Sequence, residues 1–485
     1  MTSRTIYLTL ALLFNAGVAQ AQPDSSWAHT FDGGEDEQCF AHIQTADGGF
    51  ALAGLTFSFG AGGSDFWLVR TDESGDSLLS CTFGGEGDDY PESLLQLDDG
   101  GFVLAGRTAS FGAGSMDFWL VRSNGEGDSL WSRTFGGRDG DACTSIIQTA
   151  DGGFVLAGLT ESFGAGSYDF WLIKTNPDGD SLWSRTFGGR ENDVCRSIIQ
   201  TADGGFVLAG LSESFGAGSY DIWLIKTNPD GDSLWSHTFG GRDDDRCYSL
   251  IQMADGGFAL AGRTASFGVG TDFWLVRTNE NGDSLWSRSF GGENYETCAS
   301  AIQTSDGGLA MAGITSSFGV GNADFWLMRT DASGDSLWSC TFIGGMQDYC
   351  NSLSRASDGG FVLAGYTNSF GAGSSDFYLV KTTPDPVSVR SSDPVHPSSL
   401  ILHPSFPNPF NSMVTIPFGL DKSAPTRLAI FDPLGRRLAD LIPSQVMSAG
   451  SHSAVWSANA FPAGSYLVRL ESGAESLTQP IRLVK

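Results

Sequence analysis

The chain repeats itself every 52 residues, and that period leaves few architectures open. The turn Asp-Gly-Gly recurs at Asp47, Asp99, Asp151, Asp203, Asp255, Asp306 and Asp358, in steps of 52 residues apart from one of 51. A second marker keeps step with it: Trp27, Leu79, Trp131, Trp183, Trp235, Trp286 and Trp338 each open a segment that runs through a Thr-Phe or Ser-Phe pair towards glycines. A fixed period of this length marks a supersecondary unit that buries its apolar face only against copies of itself. In the unit at residues 143–187 the runs CTSIIQT, FVLAGLT, DFWLIKT and SLWSRTF are short, rich in β-branched and aromatic residues, and bounded by turn residues. This pattern predicts four strands and no helix. Asp151-Gly152-Gly153 and Asn176-Pro177-Asp178-Gly179 carry hairpin chemistry, and residues 161–168 form a longer glycine-rich loop. Seven such units predict an all-β chain with a seven-bladed β-propeller over residues 22–382.

The strand count sharpens this. The first Trp-type strand, residues 26–31, precedes any complete unit, while the last unit ends at residues 376–382 without a fourth strand. A propeller closed by its N-terminal strand resolves both irregularities, because residues 26–31 then complete the last blade and no terminal edge is left unpaired. Trp27 is expected in the same sheet as Phe377. The 65 glycines fit this reading: 59 lie in the repeat region, there is no three-residue period, and 12% of residues are aromatic, which excludes a collagen-like chain.

The ends of the chain read differently. Arg4, the apolar run from Ile6 to Phe14 and the small-residue stretch Ala19-Gln20-Ala21 predict a cleaved export signal over residues 1–21. That run is too short to span a bilayer, and no other stretch is long and apolar enough, so no membrane-spanning segment is expected. Residues 383–402 are rich in proline and serine and read as an extended linker. Beyond them the period is lost, but the runs MVTIPFGL, RLAIFD, SAVWSA, SYLVRL and PIRLVK predict a small β-sandwich over residues 403–485.

The residues of this tail carry a resemblance. Phe406-Pro407-Asn408-Pro409-Phe410-Asn411, Ile430-Phe431-Asp432 with Leu434-Gly435-Arg436-Arg437, Gly464-Ser465-Tyr466-Leu467-Val468-Arg469-Leu470 and the terminal Leu483-Val484-Lys485 resemble the C-terminal sorting domain of type IX secretion substrates. The same residues are similar to the flagellar-hook-capping-like immunoglobulin module of other exported bacterial proteins. The resemblance implies an immunoglobulin-like fold, outer-membrane translocation and a secreted or cell-surface location. The export machinery would be the partner, recognising the motif carried by Phe406, Pro407, Asn408, Pro409, Phe410, Gly435, Arg436 and Lys485. The repeats resemble tandem units of secreted bacterial proteins that carry such tails, which supports the propeller and implies no reaction.

Charge excludes some partners and suggests others. The formal net charge is −29, and residues 22–382, with 18 bases against 49 acids, carry −31. This argues against nucleic acid. The acids crowd into the connections between blades, where Glu35, Asp36, Asp88, Asp139, Glu191, Asp243, Asp244 and Glu293 are the candidate ligand-binding residues of an anionic rim. One acid stands ten residues after every unit start: Glu37, Asp89, Asp141, Asp193, Asp245, Glu296 and Asp348. Carboxylate oxygens suit calcium, which makes these seven the candidate metal positions. Sevenfold repetition favours instead a structural task in every blade, and no other cofactor is expected. The aspartates before each third strand (Asp65, Asp117, Asp169, Asp221, Asp272, Asp324, Asp376) read as loop caps.

Nothing in the chain has the spacing of a zinc site or a nucleophile elbow. The six histidines are scattered, and the units differ mainly by small polar exchanges, so no active-site residue stands out of the repeat. Twelve of thirteen tryptophans occupy two fixed unit positions and read as packing between sheets. Six of eight cysteines (Cys39, Cys143, Cys195, Cys247, Cys298, Cys350) share one unit position and read as small buried hydrophobes, with disulfides the other reading open to an exported protein. Together these features predict a non-catalytic binding or adhesion scaffold for an extracellular protein or glycan. The alternative is a glycan-active enzyme that uses the rim carboxylates.

Overall fold

The structure, a computed structural model, describes residues 23–319, 322–342 and 344–385 of the repeat region. In the C-terminal region it describes residues 400–402, 413–420, 423–431, 436–448, 450–458, 461–462, 464–472 and 475–483. The expected leader, most of the expected linker, and Phe406, Pro407, Asn408, Pro409, Phe410, Gly435 and Lys485 lie outside the described residues. The chain divides into two compact units, one spanning Gln22–Ser388 and one containing Val389–Lys485.

No helix occurs among the described residues. Seven four-stranded antiparallel sheets, each laid out as a propeller blade, span residues 25–382. Blades 1 to 6 occupy residues 37–83, 89–135, 141–187, 193–239, 245–290 and 296–342, and blade 7 combines residues 348–382 with Ser25–Phe31. In blade 3 the strands are Asp141–Gln148, Phe154–Thr160, Asp169–Thr175 and Ser181–Phe187, each paired with the next. The second and third strands are almost wholly buried, whereas the fourth alternates between exposed and half-buried residues. The first hairpin turns on Gly152, whose φ of +79° suits glycine. Its neighbour Asp151 accepts hydrogen bonds from Thr149 Oγ1 (2.6 Å), Gly153 N (3.0 Å) and Lys174 Nζ (3.0 Å).

A second glycine is required by close approach. Gly158 pairs with Cys143, next to a bulge that drops Thr144 from the register, and a Cβ at Gly158 would collide with the Ala142 carbonyl. The same bulge recurs in every first strand and leaves Phe40, Glu92, Thr144, Arg196, Tyr248, Ala299 and Asn351 outside the pairing.

First strands contact one another from blade to blade, and the first strand of blade 7 contacts that of blade 1. Aromatic rings mark the same order. The third-strand Phe of one blade meets the third-strand Trp of the next at Phe66–Trp119 (4.6 Å between ring centres), Phe118–Trp171 (4.7 Å), Phe170–Trp223 (4.9 Å) and Phe273–Trp326 (4.4 Å). Phe377 of blade 7 meets Trp67 of blade 1 at 4.5 Å. At that junction His42 is buried, with Nδ1 and Nε2 bonded to Ser352 Oγ (2.9 Å) and Ser354 Oγ (2.7 Å), and Asn351 Nδ2 donates to the Cys39 carbonyl (2.8 Å). The N-terminal strand lies in the last sheet as expected, with Phe31 opposite Phe377 and Trp27 opposite Lys381. The six third-strand tryptophans, Trp67 to Trp326, are buried between sheets.

Residues 383–385, expected as linker, stay with this unit. Thr383 N donates to Asp24 O (2.8 Å), and the fully buried Asp385 accepts from Arg329 Nε (3.1 Å).

The C-terminal unit has two sheets. Leu400–Leu402, Met413–Leu420 and Gly450–Ser457 form one, and Arg437–Met447, Ala424–Phe431, Gly464–Ser472 and Glu475–Leu483 the other. Val414, Ile416 and Phe418 from the first share a single core with Leu428, Ile430, Val468 and Leu470 from the second. The strand Arg437–Met447 is absent from the sequence reading because only Ile442 in it is buried, so no apolar alternation marks it.

All eight cysteines are free. Those at the shared unit position are 0–1% exposed and donate weakly to backbone carbonyls, for example Cys39 Sγ to Ala41 O (3.5 Å). Burial pushes their thiols up, and Cys81, half-buried, up to about 11. Thiol titration is expected to label at most Cys81 in the native protein and all eight cysteines in denaturant; a persistent disulfide would contradict this packing. Phe377→Ala should destabilise the full chain by about 3–5 kcal/mol, as deletion of other buried rings does. Urea unfolding beside Phe170→Ala checks it, and a cost well below that of Phe170→Ala would mean that the first and last blades do not pack as described.

Candidate functional site

In each blade the loop between the second and third strands emerges at the same end of the sheet as the connection to the next blade, because the strands alternate in direction. The sevenfold acids sit where these loops meet, and each staples its own blade. Asp141 Oδ2 accepts from Gly137 N (2.8 Å) and Ser162 Oγ (2.7 Å), while its Oδ1 accepts from the Thr160 hydroxyl. Glu37 accepts from Gly33 N (3.0 Å) and Thr56 Oγ1 (3.0 Å), and Glu296 from Gly292 N (2.8 Å) and Thr315 Oγ1 (3.0 Å). Asp89, Asp193 and Asp245 accept from the corresponding glycine amides, and Asp348 from Ser369 Oγ (2.9 Å). All seven are 0–1% exposed. A calcium ion at Glu37, Asp141 or Glu296 would have to displace those donors, whereas Asp89 Oδ1 and Asp245 Oδ1 are buried without a hydrogen-bond partner. Among the described residues no group of three or more His, Cys, Asp or Glu side chains is placed to hold a metal.

The third-strand aspartates cap the glycine-rich loops, as expected: Asp169 Oδ2 accepts from Ala165 N (2.6 Å) and Asp221 Oδ2 from Ala217 N (2.6 Å). The other oxygen of Asp65, Asp117, Asp169, Asp221, Asp272 and Asp376 is buried without a hydrogen-bond partner.

The candidate rim acids divide in two. Glu35, Asp139, Glu191, Asp243 and Glu293 are exposed. Asp36, Asp88 and Asp244 are half-buried and committed: Asp36 accepts from the Ser374 hydroxyl, Asp88 from Ser64 N (3.1 Å), and Asp244 pairs with Arg246 and Arg263 (2.7 Å each). None of the eight lines the cavity described next. Arg436, the one motif residue of the tail that is described, lies beside Arg437–Met447.

A cavity of about 490 Å³ opens at this loop end across blades 2 to 5, lined by Tyr90, Arg107, Tyr168, Arg196, Tyr220 and Arg246 among others. These residues break the repeat. The position of Arg107 is Leu55, Leu159, Leu211, Ile314 and Tyr366 in blades 1, 3, 4, 6 and 7 and arginine again, Arg263, in blade 5; that of Arg246 is Gln38, Ala142, Val194 and Thr297 in blades 1, 3, 4 and 6 and tyrosine, Tyr90 and Tyr349, in blades 2 and 7. The position of Tyr168 and Tyr220 is Ser64, Ala323 and Ser375 in blades 1, 6 and 7. Arg196 is the bulge residue of blade 4, turned out of its strand's pairing by the feature that makes Gly210 obligatory. The expectation that the units differ mainly by small polar exchanges therefore fails at four positions. Aligning the units on their period and looking for changes of chemical class, rather than for catalytic motifs, is the signal that finds them.

The cavity is cationic within an anionic unit. The Arg107 guanidinium lies 4.7 Å from the Tyr90 ring centre and Arg246 4.7 Å from that of Tyr220. Arg246 is paired with Asp244, but among the described residues no carboxylate lies within ion-pairing distance of Arg107 or Arg196. Arg196 Nε is buried without a hydrogen-bond partner. Burial pushes the carboxyl of Glu92, the bulge residue of blade 2, up against the pull of Arg107 and Arg196.

Comparison with known proteins informs the tail most. Residues 405–484 match the secretion system C-terminal sorting domain, which indicates export through type IX secretion to the cell surface or beyond. No helix among the described residues is long and apolar enough to cross a membrane. A curated relative, the regulatory protein FlaEY of Caulobacter vibrioides, is 26% identical over 251 residues, covering 44% of this chain and 26% of that protein. The chain thus spans about a quarter of the relative's length. Among solved structures, the S. cerevisiae core factor matches with a TM-score of 0.39 at 10% identity, over 78% of this chain and 64% of that one. An ancestral GH74 enzyme matches with a TM-score of 0.39 at 11% identity, over 92% and 56%.

The buried carboxyls set a pH dependence. Burial, reinforced by the neighbouring acids Asp89, Glu296 and Glu37 with Asp32, pushes Asp65, Asp272 and Asp376 up to about 6. A raised carboxyl binds its proton more tightly in the folded state, so its contribution to stability is lost as pH rises from about 4 to about 6. His42, pushed down to about 3 by burial, works in the opposite sense, but it is one group against three. Asp151 and Asp203 are held down to about 2 by the Thr149 and Thr201 hydroxyls and then by Lys174 and Lys226, and their contribution is lost as pH falls from about 4 to about 2. The melting temperature should therefore peak near pH 4 and fall towards neutrality, and Asp65→Asn should flatten the upper limb. A melting temperature that rises steadily from pH 4 to pH 7 would contradict this balance.

Proposed function

We propose that the chain is an exported, non-catalytic binding scaffold: a closed seven-bladed propeller that presents an arginine- and tyrosine-lined cavity at its loop face, joined to an immunoglobulin-like sandwich that engages the type IX export machinery. One observation carries the reading. Arginine and tyrosine residues that depart from the sevenfold repeat in blades 2 to 5 line one shared cavity, whereas the residues that obey the repeat are occupied in holding the blades together. A repeated scaffold is most free to vary where no blade needs the residue, and large, costly Arg and Tyr side chains retained there in one sector point to a ligand.

This moves the ligand face away from the acidic connections, whose exposed members supply charge and solubility. It also supports binding over turnover. Asp141, the carboxylate that borders the cavity, has both oxygens engaged by Gly137, Thr160 and Ser162, so it offers no free oxygen for proton transfer.

Binding of the full chain to a broad panel of extracellular glycans and surface proteins tests the reading. A hit that weakens by about tenfold or more in Arg196→Gln, at unchanged melting temperature, is the expected result. Binding that ignores cavity variants but falls on changing Asp139 and Glu191 to their amides would return the ligand face to the acids. Turnover of a panel member that is lost on changing rim acids would mark an enzyme instead.

A further inference from the structure

We propose that the cavity across blades 2 to 5 selects an acidic sugar, a pyranose unit carrying a single carboxylate or sulfate; this rests on the reading of that cavity as the ligand site. Two guanidiniums, Arg107 and Arg196, form no ion pair there among the described residues and share one nearby carboxyl, Glu92, whose charged form burial disfavours. An arginine fork matches carboxylate and sulfate oxygens bidentately. Arg196 Nε is buried with nothing to donate to, a cost that an anionic oxygen entering the cavity would remove.

The body of the ligand follows from the remaining lining. Tyr90 and Tyr168 bring hydroxyls that both donate and accept, Asn192, whose Nδ2 donates to Glu213 Oε2 (2.8 Å) and the Tyr220 hydroxyl, adds an amide oxygen, and Leu159 and Leu211 supply an apolar surface. Sugar rings offer that combination, hydroxyl edges beside C–H faces. Arg107 and Arg246 already lie over the Tyr90 and Tyr220 rings, so these two aromatics are positioned before the ligand arrives. The volume of about 490 Å³ lies within the range of small-molecule sites.

Charge limits how anionic the ligand is. Asp139, Glu191 and Asp243 are exposed on the connections between blades 2 and 5, and the whole segment is acidic. A dense polyanion is repelled over a Debye length of roughly 10 Å, whereas one charge seated against the guanidiniums gains at contact distance. A carboxylate-rich peptide is the competing class and is disfavoured by the same field.

The test is titration calorimetry on the full chain with glucuronate, glucose 6-sulfate, glucose and a hexaglutamate peptide. Glucuronate or glucose 6-sulfate should bind at least about tenfold more tightly than glucose and weaken as salt rises, and the two arms separate carboxylate from sulfate recognition. Arg107→Gln and Arg196→Gln should each weaken that binding by about tenfold or more, while Arg288→Gln, on the outer strand of blade 5, leaves it unchanged. Equal binding of glucose that still depends on Tyr220 would overturn the acid specificity and spare the cavity reading. Tighter binding of hexaglutamate, or no binding of either acidic sugar, would overturn the proposal. Binding untouched by every cavity variant would remove the cavity reading itself. Should Arg196→Gln fail to fold, the comparison of acidic with neutral sugar on the unaltered chain, with its salt dependence, decides alone.

Discussion

Successive blades are joined by a repeated aromatic contact, the tilted to edge-on meeting of a third-strand Phe with the third-strand Trp of the following blade, beside which a fourth-strand Trp meets the second-strand Phe of the next blade. Such a pair contributes about 0.5–1.5 kcal/mol beyond the area it buries. Its greater effect is geometric, because the same two side chains at the same register impose the same angle between successive sheets. Where the pair is altered the contact is kept by other means: Ile222 stands in the Phe position before Trp274, and Tyr378 in the Trp position after Phe325, with ring centres 5.3 Å apart. Between the last blade and the first, Phe377 and Trp67 meet at 4.5 Å, within the 4.4–4.9 Å spread of the interior Phe–Trp pairs.

The repeat divides labour among its residues. Invariant acids, threonines and glycines are consumed by the scaffold: the carboxylate of Asp141 ties a turn, a strand and a loop of one blade together, and Gly158 yields the space into which the first strand bulges. These groups are polar and numerous, which makes them resemble a binding surface in the sequence. Burial decides otherwise, because a carboxylate surrounded by amide and hydroxyl donors is satisfied within the protein. The bulge residue is taken up by the scaffold in blades 3 and 7, where Thr144 and Asn351 bond a carbonyl of the next blade, whereas in blades 2, 4 and 5 the bulge and its three loop-end neighbours carry arginine and tyrosine together.

Much of this architecture was legible beforehand. In the unit read at residues 143–187 the second, third and fourth strands fall where the β-branched and aromatic runs end, and the first begins two residues earlier, at Asp141. The strand Arg437–Met447 was illegible, since an edge strand with a single buried side chain has no period to detect. The cavity was illegible for another reason. Arg107, Arg196 and Arg246 stand 89 and 50 residues apart in the chain, at three different unit positions. Nothing local relates them until blades 2 to 5 are set side by side.

By itself the sequence determined the strands, their number per unit, the hairpin chemistry and the pairing of the two ends of the repeat region, because each depends on short-range periodicity or on counting. It also determined the export address, whose motif is read as a linear string. Only the tertiary structure decided which acids are buried and which exposed, that the cysteines are free, and that an arginine-rich cavity opens in an acidic protein. Those properties depend on how side chains from separate blades share space and solvent, and burial sets whether a charge is a fastening or a site.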